Sequence, residues 1–422
     1  MLYLLWKKTL AHHASAIAIH EWGKDREWTF QQLDDMLQLR ENISSPAIAR
    51  AGDVEFFLQI LHAWKCQQPV VLIERELKQY SMPHEIPADC VLIKLVPDRE
   101  NQVRAIFFTA EQIIADAMRI VEAMQLAPHS PNLAAISMAH SYGFSSVVLP
   151  MILCGVPIVA LSAPFPALAA SAVQSFSHLT ISAVPAIWRA WLQAKIFEGV
   201  AAKNVRLALS AGAPLALDLE QKFLDEHGIK IHNFYGASEC GAIAWDASDA
   251  PRDSANVLGE PFSGVKCVVQ EDGKLLISSD AVASAYSNIH QDETLQHPHV
   301  LINDQIEIHE GALRLVRSNP HFFNIAGRKI AIGKISAAFD GIAGLKRHRI
   351  VGVPSEDPER VTDVVALLEF EQAAHLRELK SHVAKALDSW AMPRRWLIAP
   401  PEACWQGDAE EIMRHWEHLH PH

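Results

Sequence analysis

The chain has 422 residues, half of them hydrophobic, and its 37 Lys and Arg against 49 Asp and Glu leave a formal charge of −12. That length exceeds one ordinary core and predicts a large domain with a smaller one, and the acidic balance argues against a sequence-independent grip on nucleic acid or anionic lipid, leaving a small molecule or a protein as partner. Six scattered cysteines without a C-x-x-C pair argue against a disulfide framework or metal knuckle and fit a reducing cytoplasm.

In chain order, the run Met1-Leu-Tyr-Leu-Leu-Trp6 is too short for a signal core, and Lys7 and Lys8 follow it instead of preceding it, so it reads as the start of a helix and not as an export signal. Residues 16–20 form a strand pattern, and Thr29 is placed to cap a second helix. Val54, Phe57, Leu58 and Leu61 recur at helical spacing within 53–66, and residues 69–73 follow as a strand. Further on come a helix over 111–125, a strand over 133–138 and a turn over 139–144. The most apolar region, 147–173, is interrupted by Pro150, Gly155, Pro157, Pro164 and Pro166, whereas a membrane span needs about 20 apolar residues in succession. A buried helix and a buried strand over 156–161 are expected there, with no membrane span, and 180–184 is another strand. This alternation predicts an α/β fold whose sheets are mixed but mostly parallel, covered by helices on both faces.

The chemistry gathers in residues 205–245. An apolar segment leads into Ser210-Ala-Gly-Ala-Pro-Leu215, a helix-like run follows, and then comes Ile231-His-Asn-Phe-Tyr-Gly-Ala-Ser-Glu-Cys-Gly-Ala-Ile-Ala-Trp245. Each turn follows a short strand-like run, and its small residues let backbone approach a ligand. The stretch Gly236-Ala-Ser-Glu-Cys-Gly241 misses the nucleophile elbow of hydrolases, because its second glycine falls one residue late, so Ser238 is not read as a nucleophile. His140, at the C-terminal end of a strand, lies where α/β proteins bind ligands.

This pair of turns, with its spacing, resembles the adenylate-forming superfamily of acyl- and aryl-CoA synthetases, peptide-synthetase adenylation domains and luciferases. The resemblance extends through 28–33, the 139–144 turn, a small β subdomain over 259–265 and 275–277, and segments 300–304, 315–318 and 324–330. It implies a large domain over 1–318, trimmed at its start and carrying the β subdomain. A small mobile α+β domain over 319–422 follows the Asn319-Pro320 linker.

By resemblance, Ser210, Gly212, Ala213, Pro214, Tyr235, Gly236, Ala237 and Ser238 line the nucleotide side. Asp304 holds the ribose hydroxyls, Arg317 follows at the hinge, His140 borders the carboxylate and acyl group, and Glu239 is the Mg²⁺-associated glutamate. The implied cofactors are ATP, AMP or an acyl-adenylate, Mg²⁺, and CoA or phosphopantetheine. The implied partners are a carboxylic acid and CoA or an acyl carrier protein.

Two segments depart from that pattern. Family members carry a Ser/Thr- and Gly-rich phosphate loop where this chain has Lys94-Leu-Val-Pro-Asp-Arg-Glu-Asn-Gln-Val-Arg104. No glycine is present to supply positive φ for a backbone nest, and Asp98 and Glu100 add negative charge beside a polyanion. Lys94, Arg99 and Arg104 are the cations left to face a triphosphate. Near the other end, Trp405-Gln-Gly407-Asp408 puts a carboxylate where the family has its catalytic lysine. The sequence therefore predicts an acid–thiol ligase of the AMP-forming kind with impaired ATP activation. The alternative is a non-catalytic acyl- or adenylate-binding subunit or sensor, with a protein partner supplying the lost functions. His415, His418, His420 and His422 read as a solvated tail.

Overall fold

Threonine hydroxyls cap two of the early helices in the computed structural model, which describes residues 1–74, 82–98, 103–199, 201–290, 293–319, 321–325, 328–355, 360, 362–370, 376–399, 405, 412–413 and 416. After α1 (Leu2–His13), β1 (Ile17–Trp22) and β2 (Arg26–Thr29), Thr29 starts α2 (Phe30–Gln38). Its Oγ1 accepts from the Gln32 amide at 3.1 Å while the Gln32 side chain accepts from the Thr29 amide at 2.8 Å. β3 (Ala47–Arg50) leads to α3 (Val54–Lys65), capped by Asp53, and then to β4 (Val70–Ile73), β5 (Leu92–Pro97) and β6 (Val103–Phe108). Thr109 and Gln112 repeat the reciprocal cap at α4 (Ala110–Ala123).

β7 (Asn132–Ala134) is shorter than the expected strand over 133–138. The Ser137 hydroxyl accepts the Ala139 amide at 3.3 Å and donates to Glu74 at 2.5 Å, so the chain leaves the sheet early. It enters a helical turn, α5 (Ser141–Gly143), then a π-helical turn over Phe144–Val148, α6 (Leu149–Cys154) and β8 (Ile158–Leu161). There follow α7 (Pro166–Ser175), β9 (Leu179–Ala183), α8 (Pro185–Gln193), β10 (Val205–Ser210), α9 (Leu217–His227), β11 (Ile231–Ala237) and β12 (Gly241–Trp245). The β-rich part comprises β13 (Val257–Pro261), β14 (Lys266–Val269), β15 (Lys274–Ser278), β16 (Ala285–Tyr286), β17 (Leu295–Gln296), β18 (His299–His309) and β19 (Ala312–Arg317).

Two sheets organise these strands. The larger runs β14-β15-β18-β19-β13-β12-β11-β10-β9-β7-β8-β1-β2 with β17 beside β18, and the smaller runs β16-β6-β5-β4-β3. From β11 to β1 every pairing in the larger sheet is parallel, and antiparallel hairpins extend it on both sides. β4 and β9 are buried along their whole length, as strands covered on both faces are; β4 is apolar throughout, whereas β9 also buries Thr180 and Ser182. The two interior faces pack as separate clusters. One is built on Trp6, Phe30, Phe57 and Phe144, the other on Trp188, Trp191, Phe197 and Phe223.

The chain divides into two units, Met1–Val96 with Val103–Ser318, and Asn319–His422 with Pro97–Gln102. The described part of the second is a small α+β body. It contains the hairpin β20 (Phe322–Ile325) and β21 (Arg328–Ala331), then α10 (Ile332–Ala337) and a three-stranded sheet of β22 (Leu345–Pro354), β23 (Thr362–Phe370) and β24 (Arg395–Ile398), with α11 (Leu376–Ala386). This is the α/β class read from the sequence: a large sheet-rich N-terminal part and a smaller C-terminal one. Residues 99–102 and 406–410, and His415, His418, His420 and His422, lie outside the described residues.

Candidate functional site

The parallel pairings bring the C-terminal ends of β7, β10 and β11 to one edge of the larger sheet, and both turns of residues 205–245 lie there. Ser210 closes β10 in register with Asn233 on β11 and Ala183 on β9. Its Oγ is buried and has no hydrogen-bond partner among the described residues. Gly212 follows at φ +82°, a left-handed conformation that glycine adopts without strain, and Gly212 and Pro214 are exposed while Ala213 is half-buried.

Burial alone would not hold this turn. Arg252 donates to the Leu215 carbonyl at 2.6 Å and to the Glu220 carboxylate at 2.8 Å, and Lys230 bridges Glu220 and Asp246 at 2.6 Å each. Desolvation would raise the Glu220 carboxyl, but the hydrogen bonds and charges of Lys230 and Arg252 outweigh it and hold its pKa below the ordinary carboxylate value. No spacing along the chain announces this network, because its four members come from four separate segments.

In β11, a bulge falls between Tyr235 and Gly236 as the strand pairs with β12. A Cβ on Gly236 would stand 2.7 Å from the Gly241 carbonyl oxygen, so only glycine lets the hairpin close. Tyr235 donates its hydroxyl to Asp304 Oδ2 at 2.8 Å. Burial and the Asp304 charge together push that phenol well above its usual pKa, so it remains a donor. Asp304 sits on β18 and the exposed Arg317 at the end of β19, where Arg317 pairs with Gln305. Ser238 Oγ meets Ser141 Oγ at 3.0 Å, joining the second turn to the one that carries His140. His140 is exposed at the head of α5, and its Nδ1 lies 3.4 Å from the Tyr142 amide. The Tyr142 ring packs on Phe234 of β11 with centroids 4.9 Å apart. Three separate contacts thus join Tyr235 to Asp304, Ser238 to the turn that carries His140, and that turn to β11, and a π-helical turn, which often marks functional sites, follows α5.

Beside Glu239 the two strands flanking the divergent loop place their cations. Lys94, only 4% exposed on β5, has its Nζ 3.5 Å from the Ser238 carbonyl and 4.5 Å from the centre of the Phe108 ring. Burial pushes its pKa down, against the charges of Asp116, the Cys240 thiol and Glu239. Arg104, on β6, binds Glu293 at 2.6 Å, with both side chains under a tenth exposed, and lies 4.0 Å over the Tyr286 ring. Burial opposes its charge, but Tyr286 and Glu293 outweigh that effect. Two of the three cations left by the missing loop are therefore engaged with the protein itself, and Arg99 lies outside the described residues. A separate cleft, bordered by Glu21, Trp22, Lys24 and Asp53, includes none of the expected site residues.

The first unit thus carries a parallel sheet with two glycine-bearing turns at one edge and a β-rich part after them, and the second unit is a small α+β body. Residues 104–287 match the family described as AMP-binding enzyme, and the match starts at Arg104, the last residue of the segment that lacks the glycines. No curated protein sequence matches the chain. Its fold is similar to that of a double-mutant o-succinylbenzoate CoA synthetase from Bacillus subtilis bound with a product analogue, at TM-score 0.80 and 14% identity over 94% of both chains. It is also similar to a malonyl-CoA ligase holding methylmalonyl-CoA and AMP, at TM-score 0.73 and 16% identity over 92% of this chain and 97% of that one. For the Mycobacterium tuberculosis fatty acyl CoA synthetase the values are 0.65 and 16%, over 98% and 97%. The chain thus carries a segment that matches the AMP-binding enzyme family, within a fold similar to that of these CoA synthetases and ligases. Among the described residues, no helix is long and apolar enough to cross a membrane.

Proposed function

We propose that the protein binds a carboxylic acid or its acyl-adenylate and passes the acyl group of the adenylate to a thiol of CoA or of an acyl carrier protein's phosphopantetheine, with ATP activation of the free acid impaired. The observation that carries this reading is the contrast within one site. Tyr235 and Asp304 are hydrogen-bonded at 2.8 Å and Ser238 meets Ser141 at 3.0 Å, while Arg104 is locked onto Glu293 and the phosphate loop has no glycine. Asp304 accepts the ribose hydroxyls, Tyr235 orients that carboxylate, and Ser238 with the small residues of both turns faces the phosphate ester. His140 and the 210–215 turn border the acyl group. The thiolate sulfur then attacks the acyl carbon, the carbon–oxygen bond to phosphate breaks, and AMP leaves with the electron pair. Pre-organised contacts on the departing phosphate assist that step.

A second reading, a non-catalytic acyl- or adenylate-binding subunit that relies on a partner protein, is favoured by the same internal pairing of Lys94 and Arg104 and by Asp408 in place of an ammonium. Preformed acyl-adenylates of fatty and aromatic acids, offered with CoA, separate the two. Thioester formation supports transfer, binding without transfer supports the subunit reading, and no binding of any adenylate refutes both.

A further inference from the structure

Three polar atoms lie buried on one face of the larger sheet, beside the turn that carries His140. Asn132 Oδ1 on β7, the Tyr142 hydroxyl on α5 and Ser182 Oγ on β9 have no hydrogen-bond partner among the described residues, and those residues are 1%, 8% and 1% exposed. Register and contacts bring them together. Asn132 pairs with Thr180 and Ala134 with Ser182, so side-chain alternation sends Asn132 and Ser182 to the same face, with Asn132 two residues, or roughly 7 Å, deeper along the strands. α5 and the π-helical turn cover that face: the Asn132 amide group donates to the Ser146 carbonyl at 3.1 Å, and the Ser146 hydroxyl donates to the Tyr142 carbonyl at 2.7 Å. Leu209, in register with Ser182, shares one apolar cluster with Tyr142 and Phe234. Burial pushes the pKa of the Tyr142 phenol up and keeps it a neutral donor; the Ser182 hydroxyl is near enough to oppose that rise, although the two do not meet in hydrogen-bond geometry.

Protein interiors seldom leave such groups unpaired, because each has given up its water. The topology points to a ligand as the missing partner. β8 lies on one side of β7 and β9 on the other, so the strand order reverses at β7. The connecting helices α6 and α7 pack in separate clusters, which the consecutive β8 residues Ile158 and Val159 also enter from opposite faces. Ligands of α/β sheets bind beyond the strand ends at such a reversal. On this face Arg206 is engaged with Thr180 Oγ1, Ser130 Oγ and the Met124 carbonyl, so the orphaned oxygens face a neutral group and not a second carboxylate.

We propose that Tyr142, Ser182 and Asn132 receive the far end of the acyl group, and that the protein selects a carboxylic acid whose apolar body ends in a neutral hydroxyl. The proposal rests on the adenylate reading above and names its substrate class. The Tyr142 and Ser182 hydroxyls can each donate or accept and Asn132 Oδ1 accepts, so an incoming O–H finds both kinds of partner. An acyl group of the same shape without the hydroxyl leaves all three atoms unpaired, which is how a site built for a hydroxyl rejects the analogue that lacks it.

The test titrates the full chain calorimetrically with non-hydrolysable acyl-sulfamoyl adenosines in two matched pairs, 4-hydroxybenzoyl against benzoyl and 6-hydroxyhexanoyl against hexanoyl, and with the four free acids. In the wild type the hydroxylated member of at least one pair should bind at least tenfold tighter than its counterpart. Tyr142→Phe and Ser182→Ala, each shown by thermal melting to fold, should both reduce that preference below threefold. A wild-type preference under tenfold in both pairs overturns the proposal whether or not the variants fold. A preference that stays above threefold in either folded variant overturns it too and leaves the hydroxyls to buried water. If no adenosine compound binds but a hydroxylated free acid does, with its preference lost in Tyr142→Phe, the adenylate reading fails and the proposal stands. If no compound binds at all, both fail.

Discussion

Replacing Asp304 with alanine isolates the contact on which adenylate recognition depends in the proposed function. In the wild type its carboxylate is half-buried on β18 and accepts the Tyr235 hydroxyl at 2.8 Å, and the two oxygens of a carboxylate offer about four acceptor sites in all. A hydrogen bond to a charged group contributes about 1.5–3 kcal/mol net, and partial exposure places each of these near the lower figure. Two such bonds sum to ~3 kcal/mol, or roughly 100-fold in Kd. Calorimetric titration of AMP and of an acyl-adenylate mimic should therefore show both weakened by about that factor in Asp304→Ala. Inorganic phosphate, which has no ribose, should be unaffected. Tyr235→Phe keeps the carboxylate and removes only its orienting donor, so its loss should be smaller, near fivefold for ~1 kcal/mol. Thermal melts of both variants separate a folding defect from a binding one. An Asp304→Ala protein that melts cooperatively and binds AMP within twofold of the wild type would refute the ribose assignment.

Other outcomes follow from the same geometry. Lys230→Met leaves Glu220 and Asp246 buried without their shared ammonium and should cost about 3–5 kcal/mol in urea unfolding; a cost under ~1 kcal/mol would mean the network does not clamp the 210–215 turn. Because the folded pKa of Glu220 lies below its ordinary value of 4.5, the carboxylate's contribution is complete above that pH and is lost as pH falls through the folded value. Urea midpoints measured downward from pH 6 should fall more steeply in the wild type than in Glu220→Gln, and parallel curves would contradict the assignment. Gly236→Ala pushes a methyl to 2.7 Å from the Gly241 carbonyl and should destabilise by about 1–3 kcal/mol while weakening AMP binding; an unchanged melting temperature would show that the hairpin does not need that approach.

Much of this architecture was legible because local chemistry and tertiary position agree. Thr29 caps its helix by the reciprocal bond that its spacing to Gln32 announces, and the prolines between 150 and 166 break the apolar run where the helices and β8 are separated. The strand over 133–138 was overdrawn, since apolar content cannot reveal that the Ser137 hydroxyl will capture a backbone amide. The π-helical turn over Phe144–Val148 is equally silent, because its residues are those of any buried helix. Lys94 and Arg104 appear in sequence as cations free to meet phosphate. Their partners, Phe108, the Ser238 carbonyl, Tyr286 and Glu293, are as far as 189 residues away along the chain, so the pairing needed coordinates.

The central claim is that the adenylate grip persists in a site that no longer handles a triphosphate. Exchange of radiolabelled pyrophosphate into ATP, run across fatty and aromatic acids beside a parallel AMP titration, addresses it most directly. The account predicts that AMP binds and that no acid supports exchange above the protein-free background. Robust exchange with any one acid would contradict it.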